Sequence, residues 1–253
     1  MKEETKEKVA RLQEIVDGAK RIVFFGGAGV STESGIPDFR SVDGLYNQTY
    51  DYPPETILSH TFFMRKTDEF YRFYYDKILL EGPLPNAAHK KLAEMEAAGK
   101  LTSVITQNID GLHQKAGSKK VLELHGSVLR NYCRECGAFY DGDAMLSFKE
   151  ECKKSGELTP RCPKCGGVIK PDVVLYEEGL DQGILEESVR ELQQADVLII
   201  GGTSLVVYPA AGLIDYFHGN HLVLINKSTT SRDSMADLVI ADSIGEVLSQ
   251  INV

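Results

Sequence analysis

The sequence predicts an α/β protein: a Rossmann-like, doubly wound parallel sheet accompanied by a smaller, discontinuous domain. Short apolar segments typical of buried strands alternate with amphipathic helical segments along most of the chain. A glycine-rich turn follows the first strand, as in open α/β sheets that bind ligands at their carboxyl edge. Two stretches break the alternation, and one of them carries four cysteines in two Cys-x-x-Cys pairs.

The large sheet is predicted from six short, largely β-branched segments. These are residues 21–25, 102–106, 121–124, 196–200, 221–225 and 237–240. Apolar residues at helical spacing predict an opening helix over 3–17, and further helices are expected at about 86–99, 183–194 and 209–217. The alternation of the two types predicts parallel strands with helices on both faces.

The two stretches that break the alternation predict the smaller domain. Residues 41–80 are rich in Tyr and Phe, and 131–170 contain the cysteine pairs. We therefore assign 41–80, as a helical insertion, and 131–170 to the small domain. The large Rossmann-like domain then comprises 1–40, 81–130 and 171–253, with a cleft expected between the two domains.

Composition and charge exclude several classes of protein. The chain has 253 residues, of which 42% are hydrophobic and 26% charged, and no run approaches the ~18 apolar residues of a membrane span. Its net charge of −9 repels phosphate backbones and anionic lipids, so we expect neither direct nucleic-acid binding nor membrane binding. The charged N-terminal segment has no apolar stretch behind it, which predicts a cytoplasmic protein.

Four of the five cysteines predict one structural zinc ion. Cys133 and Cys136 form one Cys-x-x-Cys pair, and Cys162 and Cys165 form the other. Two such turns supply the tetrahedral thiolate set of a zinc ribbon and leave no open position for catalysis. A pair of redox motifs is the alternative, but neither pair directly opens a helix in a βαβ unit. Cys152 is left as a free thiol.

The glycine turn makes a dinucleotide the first ligand to consider. The segment 27–32 follows a predicted strand, and glycines there allow backbone N–H groups to approach a pyrophosphate. Thr32 stands where the dinucleotide fingerprint has its third glycine, and no second strand ends in an acid about twenty residues on. These departures disfavour a hydride-transferring dehydrogenase. On the glycines alone, a simple tight turn remains the alternative.

Polar residues follow four of the predicted strands directly. They are Gln107-Asn108-Ile109-Asp110, His125, Gly202-Thr203-Ser204 and Asn226-Lys227. The carboxyl ends of parallel strands lie at one edge of a sheet, so these groups are expected to converge on one ligand. His125 is a candidate general base, because an unperturbed imidazole has a pKa of ~6.5. A hydrogen-bonded histidine at the rim is the alternative for His125, and His113 has the better claim to a structural role.

Taken together, these motifs resemble the sirtuins, the NAD-dependent protein-lysine deacylases. The resemblance rests on segments that occur in family order from about residue 20 to 245. They are Gly27-Ala28-Gly29-Val30-Ser31, Ser34-Gly35-Ile36-Pro37-Asp38-Phe39-Arg40, Gln107-Asn108-Ile109-Asp110, His125-Gly126, both cysteine pairs, Gly202-Thr203-Ser204 and Asn226. The resemblance therefore covers nearly the whole chain.

The resemblance implies NAD-dependent deacetylation of acetyl-lysine on proteins, with NAD as co-substrate. Nicotinamide would leave as the acetyl oxygen attacks the ribose, and the acetyl group would end on ADP-ribose as O-acetyl-ADP-ribose. His125 would be the general base, with Asn108 and Asp110 also in catalytic positions. The NAD contacts implied are Ala28, Gly29, Thr32, Asp38, Phe39, Arg40, Gln107, Asn108, Ile109, Asp110, Gly202, Thr203, Ser204, Asn226, Lys227, Ser243 and Ile244.

The resemblance also implies where an acetylated peptide binds. Sirtuins hold the substrate backbone as an added strand between two loops, here matched by Val174 and Tyr176 on one side and Val206 and Val207 on the other. Glu177 departs from the usual glycine. In the succinyl-preferring branch, an arginine follows three positions after a tyrosine. Here the corresponding positions are Tyr71 and Tyr74, which predicts deacetylation and makes Tyr71 a further substrate contact.

Two alternatives remain at this stage. The activated ribose could be captured by another nucleophile, which would make the protein a mono-ADP-ribosyltransferase or an NAD hydrolase. The chain could also be a non-catalytic NAD-sensing zinc protein, although a sensor has no need of the base that His125 would supply. We expect a monomer.

Overall fold

The computed structural model describes residues 3–39, 44–45 and 50–253. Helices and strands are labelled in chain order. They are α1 (Glu3–Gly18), β1 (Ile22–Gly26), α2 (Pro54–Ile57), α3 (His60–Arg65), α4 (Thr67–Phe73), α5 (Ala87–Ala97), β2 (Leu101–Thr106), α6 (Leu112–Ala116), β3 (Val121–Glu123), β4 (Gly126–Cys133), β5 (Phe139–Asp141), α7 (Gly142–Ser155), β6 (Ile169–Val173), α8 (Gln182–Gln194), β7 (Val197–Gly201), β8 (His221–Ile225), β9 (Leu238–Ile240) and α9 (Ile244–Leu248).

The large sheet has six strands, all parallel, in the order β3-β2-β1-β7-β8-β9. Every residue of β1 is buried, and its side chains alternate between two cores: Phe24 packs on one face and Phe25 on the other. Helices α1, α5 and α9 contribute to the first core and α8 to the second, so the sheet is covered on both faces. The predicted doubly wound parallel sheet is confirmed.

The helices begin and end where the sequence provides caps. Asn86 accepts hydrogen bonds from the first turn of α5, and Asp181 does the same for α8. The apolar spacing of α1 buries Leu12, Ile15 and Val16. The helix expected at 209–217 is a 3₁₀ helix over Ala210–Tyr216, with its apolar face buried against the sheet.

Strands β4, β5 and β6 form a second, antiparallel sheet in the order β5-β4-β6. It reaches beyond 131–170 at both ends, because β4 begins at Gly126 and β6 ends at Val173. Helix α7 lies between the two cysteine pairs and begins at an Asp141 cap. Helices α2 to α4 and a π-helical turn over Tyr74–Ile78 pack against this sheet and form one core with it.

The small-domain core consists largely of aromatic rings in contact with each other. Phe63 and Phe70 meet edge to face with 4.9 Å between centroids, and Phe70 and Tyr74 stack. Such pairs contribute about 0.5–1.5 kcal/mol beyond the area they bury. No helix in the described part of the chain has the length and apolarity needed to cross a membrane.

Candidate active site

The glycine turn after β1 packs backbone to backbone against the loop that follows β7. The Gly29 N–H donates to the Gly202 carbonyl at 2.8 Å, and a Cβ on Gly29 would lie 2.7 Å from the Gly202 Cα. Gly202 itself has φ +61, and a Cβ there would approach the Val30 nitrogen to 2.3 Å. Only glycine fits either position, and the two loops therefore pack closely together at the carboxyl edge of the sheet.

A buried hydroxyl organises the polar groups after β2. The Ser31 Oγ donates to Asp110 Oδ2 at 2.7 Å and accepts from Asn108 Nδ2 at 3.1 Å. Asp110 Oδ1 also accepts from the Leu112 N–H at 2.9 Å. The Asn108 amide and the Asp110 carboxylate are therefore fixed before any ligand arrives.

Two buried histidines lie behind this hydroxyl. His89 Nδ1 accepts from the Asn86 N–H, so its proton is on Nε2, which lies 3.4 Å from Ser31 Oγ. Burial lowers the pKa of His89 to about 4, although the Asp110 charge opposes the shift. The His113 ring lies 4.7 Å from His89, and burial lowers its pKa to about 3. Both imidazoles are neutral at physiological pH.

His125 lies between two strand ends. Its Nδ1 is 3.0 Å from the Gln107 carbonyl, which can only accept, so Nδ1 carries the proton and Nε2 is the basic nitrogen. Burial lowers the pKa of His125 below its usual range, opposed by this hydrogen bond. Gln107 Nε2 donates to Thr203 Oγ1 at 3.0 Å, linking the ends of β2 and β7. The geometry provides a neutral, oriented base at the shared edge.

The last part of this edge is held by reciprocal hydrogen bonds. Asn226 accepts from the Thr203 N–H at 3.1 Å and donates to the Thr203 carbonyl at 3.0 Å. Ser243 precedes α9, where the Gly245 N–H donates to Glu33 at 2.9 Å. The loops after β1, β7, β8 and β9 are thereby tied together.

The four cysteines of the two pairs lie together in the small domain, as predicted. Their Sγ atoms are all within 4.8 Å of one another, with 3.4 Å between Cys133 and Cys165 and 3.7 Å between Cys136 and Cys162. A tetrahedral zinc ion with Zn–S bonds of about 2.3 Å has sulfur-to-sulfur edges of roughly 3.8 Å. The set therefore fits one zinc ion, with no fourth position open to substrate.

The comparisons with known proteins agree with this geometry. A family model described as the Sir2 family matches residues 27–209. The chain belongs to the Sir2 family. An NAD-dependent protein deacetylase of Clostridium acetobutylicum is 58% identical over 247 residues, covering 97% of this chain and 98% of that protein. One of Clostridium perfringens is 56% identical over 248 residues, covering 97% and 98%.

Solved Sir2 structures share the fold. A chain from work on the mechanism and regulation of Sir2 enzymes has a TM-score of 0.86 at 40% identity, covering 97% of this chain and 96% of that one. A Sir2 structure with a deacetylated peptide and 3′-O-acetyl ADP ribose has a TM-score of 0.86 at 36% identity, covering 95% of each. The predicted sirtuin resemblance is confirmed.

The other predicted NAD contacts of this sirtuin differ in how exposed their side chains are. Ala28, Thr32, Asp38 and Phe39 are half-buried in the loop after β1; Ser204 and Lys227 are exposed after β7 and β8; Arg40 lies outside the described residues. Ile109 is tied to the small domain through its carbonyl, which accepts from the Val128 N–H at 3.0 Å. Ile244 has its side chain in the sheet core, so only its backbone is available to a cofactor.

The predicted peptide loops of the sirtuin follow strands of different sheets, β6 and β7. Val174 donates its N–H to the His125 carbonyl at 3.0 Å, and Tyr176 pairs with the segment before α3. Val206 is 53% exposed on the loop after β7, with Val207 beside it.

Tyr71 is a correction to the predicted substrate contacts. It is fully buried in the aromatic core of the small domain, where its hydroxyl donates to the Ile169 carbonyl. Tyr74 is buried beside it, with the two rings edge to face. Helical spacing turns both residues inward, so Tyr71 has no surface to offer a peptide in this structure. The acyl preference expected from this pair of positions therefore has no support from a contact here.

Sequence reasoning did not select Ser31 and His89 as site residues. Ser31 lies inside the glycine motif that carries part of the resemblance, but no role in the site was predicted for it. His89 lies inside a helix far along the chain, and only the packing of α5 against the sheet brings it to Ser31. For Ser31, the motif itself was a usable signal; for His89 the sequence contains none.

Proposed function

We propose that this chain is an NAD-dependent protein-lysine deacetylase that cleaves NAD to nicotinamide and transfers the acetyl group to ADP-ribose. The observation that carries the proposal is the neutral imidazole of His125, held by the Gln107 carbonyl so that Nε2 can accept a proton. It stands at the sheet edge that also carries the fixed Asn108 and Asp110. The similarity to curated deacetylases over almost the whole chain supports the same reaction.

The chain's own groups would act in sequence on the two substrates. His125 Nε2 would take the proton of a ribose hydroxyl, whose oxygen then attacks the carbon derived from the acetyl group. Asn108 and Asp110, held by Ser31, would orient the nicotinamide ribose and the amide of the leaving nicotinamide. Positioning and a water-poor pocket supply most of the acceleration in such a scheme.

The NAD contacts proposed for this reaction are those that the sequence predicts. The loop after β1 would hold pyrophosphate and ribose, and the loops after β7, β8 and β9 would hold the adenosine. Thr203 and Asn226 support this role because their hydrogen bonds fix both loops. The full proposed set is Ala28, Gly29, Thr32, Asp38, Phe39, Arg40, Gln107, Asn108, Ile109, Asp110, Gly202, Thr203, Ser204, Asn226, Lys227, Ser243 and Ile244.

An acetyl-lysine peptide would bind as an added strand between the two domains. Val174 and Tyr176 would form one side, and Val206 and Val207 the other, with Tyr71 no longer among the contacts. The position of Val174 supports this, because its N–H is bonded to the His125 carbonyl, so a peptide paired with Val174 would lie beside the proposed base. Backbone pairing provides affinity with little sequence restriction.

The zinc ion would hold the small domain together and supply no chemistry. All four ligands are cysteines, so no position is open for water or substrate. The Tyr140 hydroxyl lies 3.0 Å from Cys162 Sγ. Burial opposes ionisation of Cys162, but hydrogen bonds from Tyr140 and from backbone N–H groups lower its pKa to about 6, which favours the thiolate that binds metal.

We also propose a cytoplasmic monomer that does not bind nucleic acid directly. The net charge of −9 supports the last point, because phosphate contacts require clustered cations. We propose two domains divided as the sequence predicts, 1–40, 81–130 and 171–253 against 41–80 and 131–170, except that all of β4, all of β6 and the loop that follows β6 go with the small domain, because β4 and β6 pair in its sheet.

The test is mass spectrometry of a reaction with purified protein, NAD and an acetyl-lysine peptide, beside a reaction without NAD. Deacetylated peptide together with O-acetyl-ADP-ribose is the expected result. ADP-ribose without acetyl transfer would replace deacetylation with ADP-ribosyl transfer or NAD hydrolysis. If folded, zinc-loaded protein forms neither product, the remaining interpretation is a non-catalytic NAD-sensing protein.

A further inference from the structure

The backbone at Glu177 has a conformation that side chains rarely adopt. Its φ is +77, and it is the third residue of a turn closed by the Glu178 N–H, which donates to the Leu175 carbonyl at 3.0 Å. A positive φ at the third position is the requirement of a type II turn, and glycine usually meets it. A glutamate kept there indicates that its side chain has a function.

The Glu177 carboxylate has a fixed place and an unneutralised charge. Glu177 Oε2 accepts from the Thr61 N–H in the first turn of α3 at 2.9 Å, and the residue is exposed. Its neighbour Glu178 forms an ion pair with Lys170 and a hydrogen bond with the His60 ring. Within the described residues Glu177 has no such pair, although His60 and Arg65 are near enough to influence its ionisation. Glu177 therefore presents a net negative charge to solvent.

Some backbone groups of the segment around Glu177 are already hydrogen-bonded, and others have no backbone partner within the described part of the chain. The Tyr176 N–H donates to the Leu58 carbonyl and its own carbonyl accepts from the His60 N–H, both at 2.9 Å. Among the described residues, no backbone hydrogen bond uses the Val174 carbonyl or the Glu177 N–H and carbonyl. The Val174 carbonyl and the Glu177 N–H and carbonyl are therefore the backbone groups of this segment that an added strand can still use.

We propose that Glu177 is a specificity-determining residue that selects acetylated sites with a lysine or arginine close to the acetyl-lysine. This rests on the peptide-binding role proposed above. Glu177 is exposed on the loop that would pair with the peptide, and an exposed carboxylate there attracts a cationic side chain near the acetyl-lysine. Residues 205–208 on the facing loop carry no acid, so the charge selection comes from Glu177.

Kinetics with matched peptides test the assignment. The peptides share one acetyl-lysine and differ only in carrying Lys, Gln or Glu at a single position within two residues of it. For the unmodified chain we expect kcat/KM for the Lys peptide to exceed that for the Glu peptide by about 5-fold or more at one position. The ratio should fall as salt rises from ~0.05 to ~0.5 M, because salt screens exposed charges.

Variants of Glu177 separate charge from structure. Glu177→Gln keeps an oxygen that can accept from Thr61, so the Gln peptide should keep its KM while the Lys-to-Glu ratio falls close to one. Glu177→Lys should invert the ratio. Glu14→Gln, which removes one exposed carboxylate from α1, is the matched control and should leave the ratio unchanged. In every variant, kcat at saturating peptide should stay within about two-fold, since the base is untouched.

Two results would overturn the assignment. One is a Glu177→Gln variant that keeps the full ratio at every position; the other is a variant that weakens all peptides equally, which would indicate a purely structural role. The same ratios are also measured as peptide dissociation constants by fluorescence anisotropy. The dissociation constants measure the charge preference without turnover. A failure of deacetylation itself would therefore be distinguished from a failure of this assignment.

Discussion

The two domains of this sirtuin are stabilised in different ways. The large sheet is formed by continuous apolar strands buried on both faces, and its polar edge is held by hydrogen bonds between side chains. The small domain has a three-stranded sheet too small to form a core alone, and it relies on packed aromatic rings and four cysteines. In the function proposed above, the chemistry would take place at the polar edge of the large sheet, and the small domain would present the peptide loop to it.

Removing zinc should have the largest effect, and it should affect the two domains differently. We expect Cys136→Ser to lower the zinc content from one ion per chain towards none and to unfold the small domain, because thiolate sites are formed only in the folded, metal-bound state. Peptide turnover should be lost, while calorimetry should still detect NAD binding to the large sheet. Cys152→Ala is the control: this thiol is outside the cluster, so zinc content should stay at one. Retained turnover without zinc would contradict the assigned role.

Removing the base should affect chemistry on the large domain alone. His125→Ala should lower kcat by about 10²–10⁴-fold, the usual contribution of a general base. NAD affinity should change little, because the hydrogen bond from Gln107 Nε2 to Thr203 is independent of the imidazole. His218→Ala, at an exposed position, serves as the control in the same assay. Unchanged turnover would remove His125 from the mechanism.

A smaller effect is expected from removal of the Ser31 hydroxyl, which holds Asp110 and Asn108. Ser31→Ala removes a buried group that bonds both Asp110 and Asn108, and leaving a buried polar partner unpaired costs about 1–3 kcal/mol. We expect kcat/KM to fall roughly 5- to 150-fold, the range that this energy corresponds to. The exposed Ser249→Ala variant should match the unmodified chain. If Ser31→Ala had full activity, Asp110 and Asn108 would have to be held by other groups.

The smallest effect is expected on the free energy of unfolding, which should depend on pH through two histidines buried in the large domain. His89 and His113 have folded pKa values of about 4 and about 3, below the ~6.5 of an unfolded chain. The unfolded state therefore binds more protons, and stability present above pH 6.5 is lost as the pH falls towards these values. By pH 5.5 each histidine should remove about 1.4 kcal/mol from the free energy of unfolding.

Denaturant unfolding at pH 7.5, 6.5 and 5.5 measures this loss. His113→Phe keeps a ring against Phe24 and removes one titrating group, so its stability should decline less steeply with falling pH. The partly exposed His221→Gln variant should follow the unmodified chain. Equal slopes for the His113 variant and the unmodified chain would show that its imidazole is not kept neutral by the fold.

Much of the large domain was predictable because its signals are local. A strand buried on both faces reads as an apolar run, and each predicted segment from 21–25 to 237–240 coincides with a strand to within about two residues. The cysteine cluster was predictable because pairs at this spacing have few other uses.

The antiparallel sheet of the small domain and the inward turn of Tyr71 were not predictable. Both depend on contacts between distant segments: β4 pairs with β6 far along the chain, and Tyr71 meets Ile169 only once that sheet exists. His89 was missed for the same reason. A residue's type predicts its local conformation, but its partners across the fold depend on how helices pack on sheets.

His125 is bonded to both domains at once. Its ring donates to Gln107 in the large domain and its carbonyl accepts from Val174 on the peptide loop, while Gly126 begins β4 where a Cβ would lie 1.9 Å from the Asp172 carbonyl. Any relative movement of the two sheets would therefore move the imidazole that we propose as the base. A compound that wedged the two sheets apart would inhibit this enzyme without competing for the place of NAD or of the peptide, and tight peptide binding would in turn oppose that inhibitor.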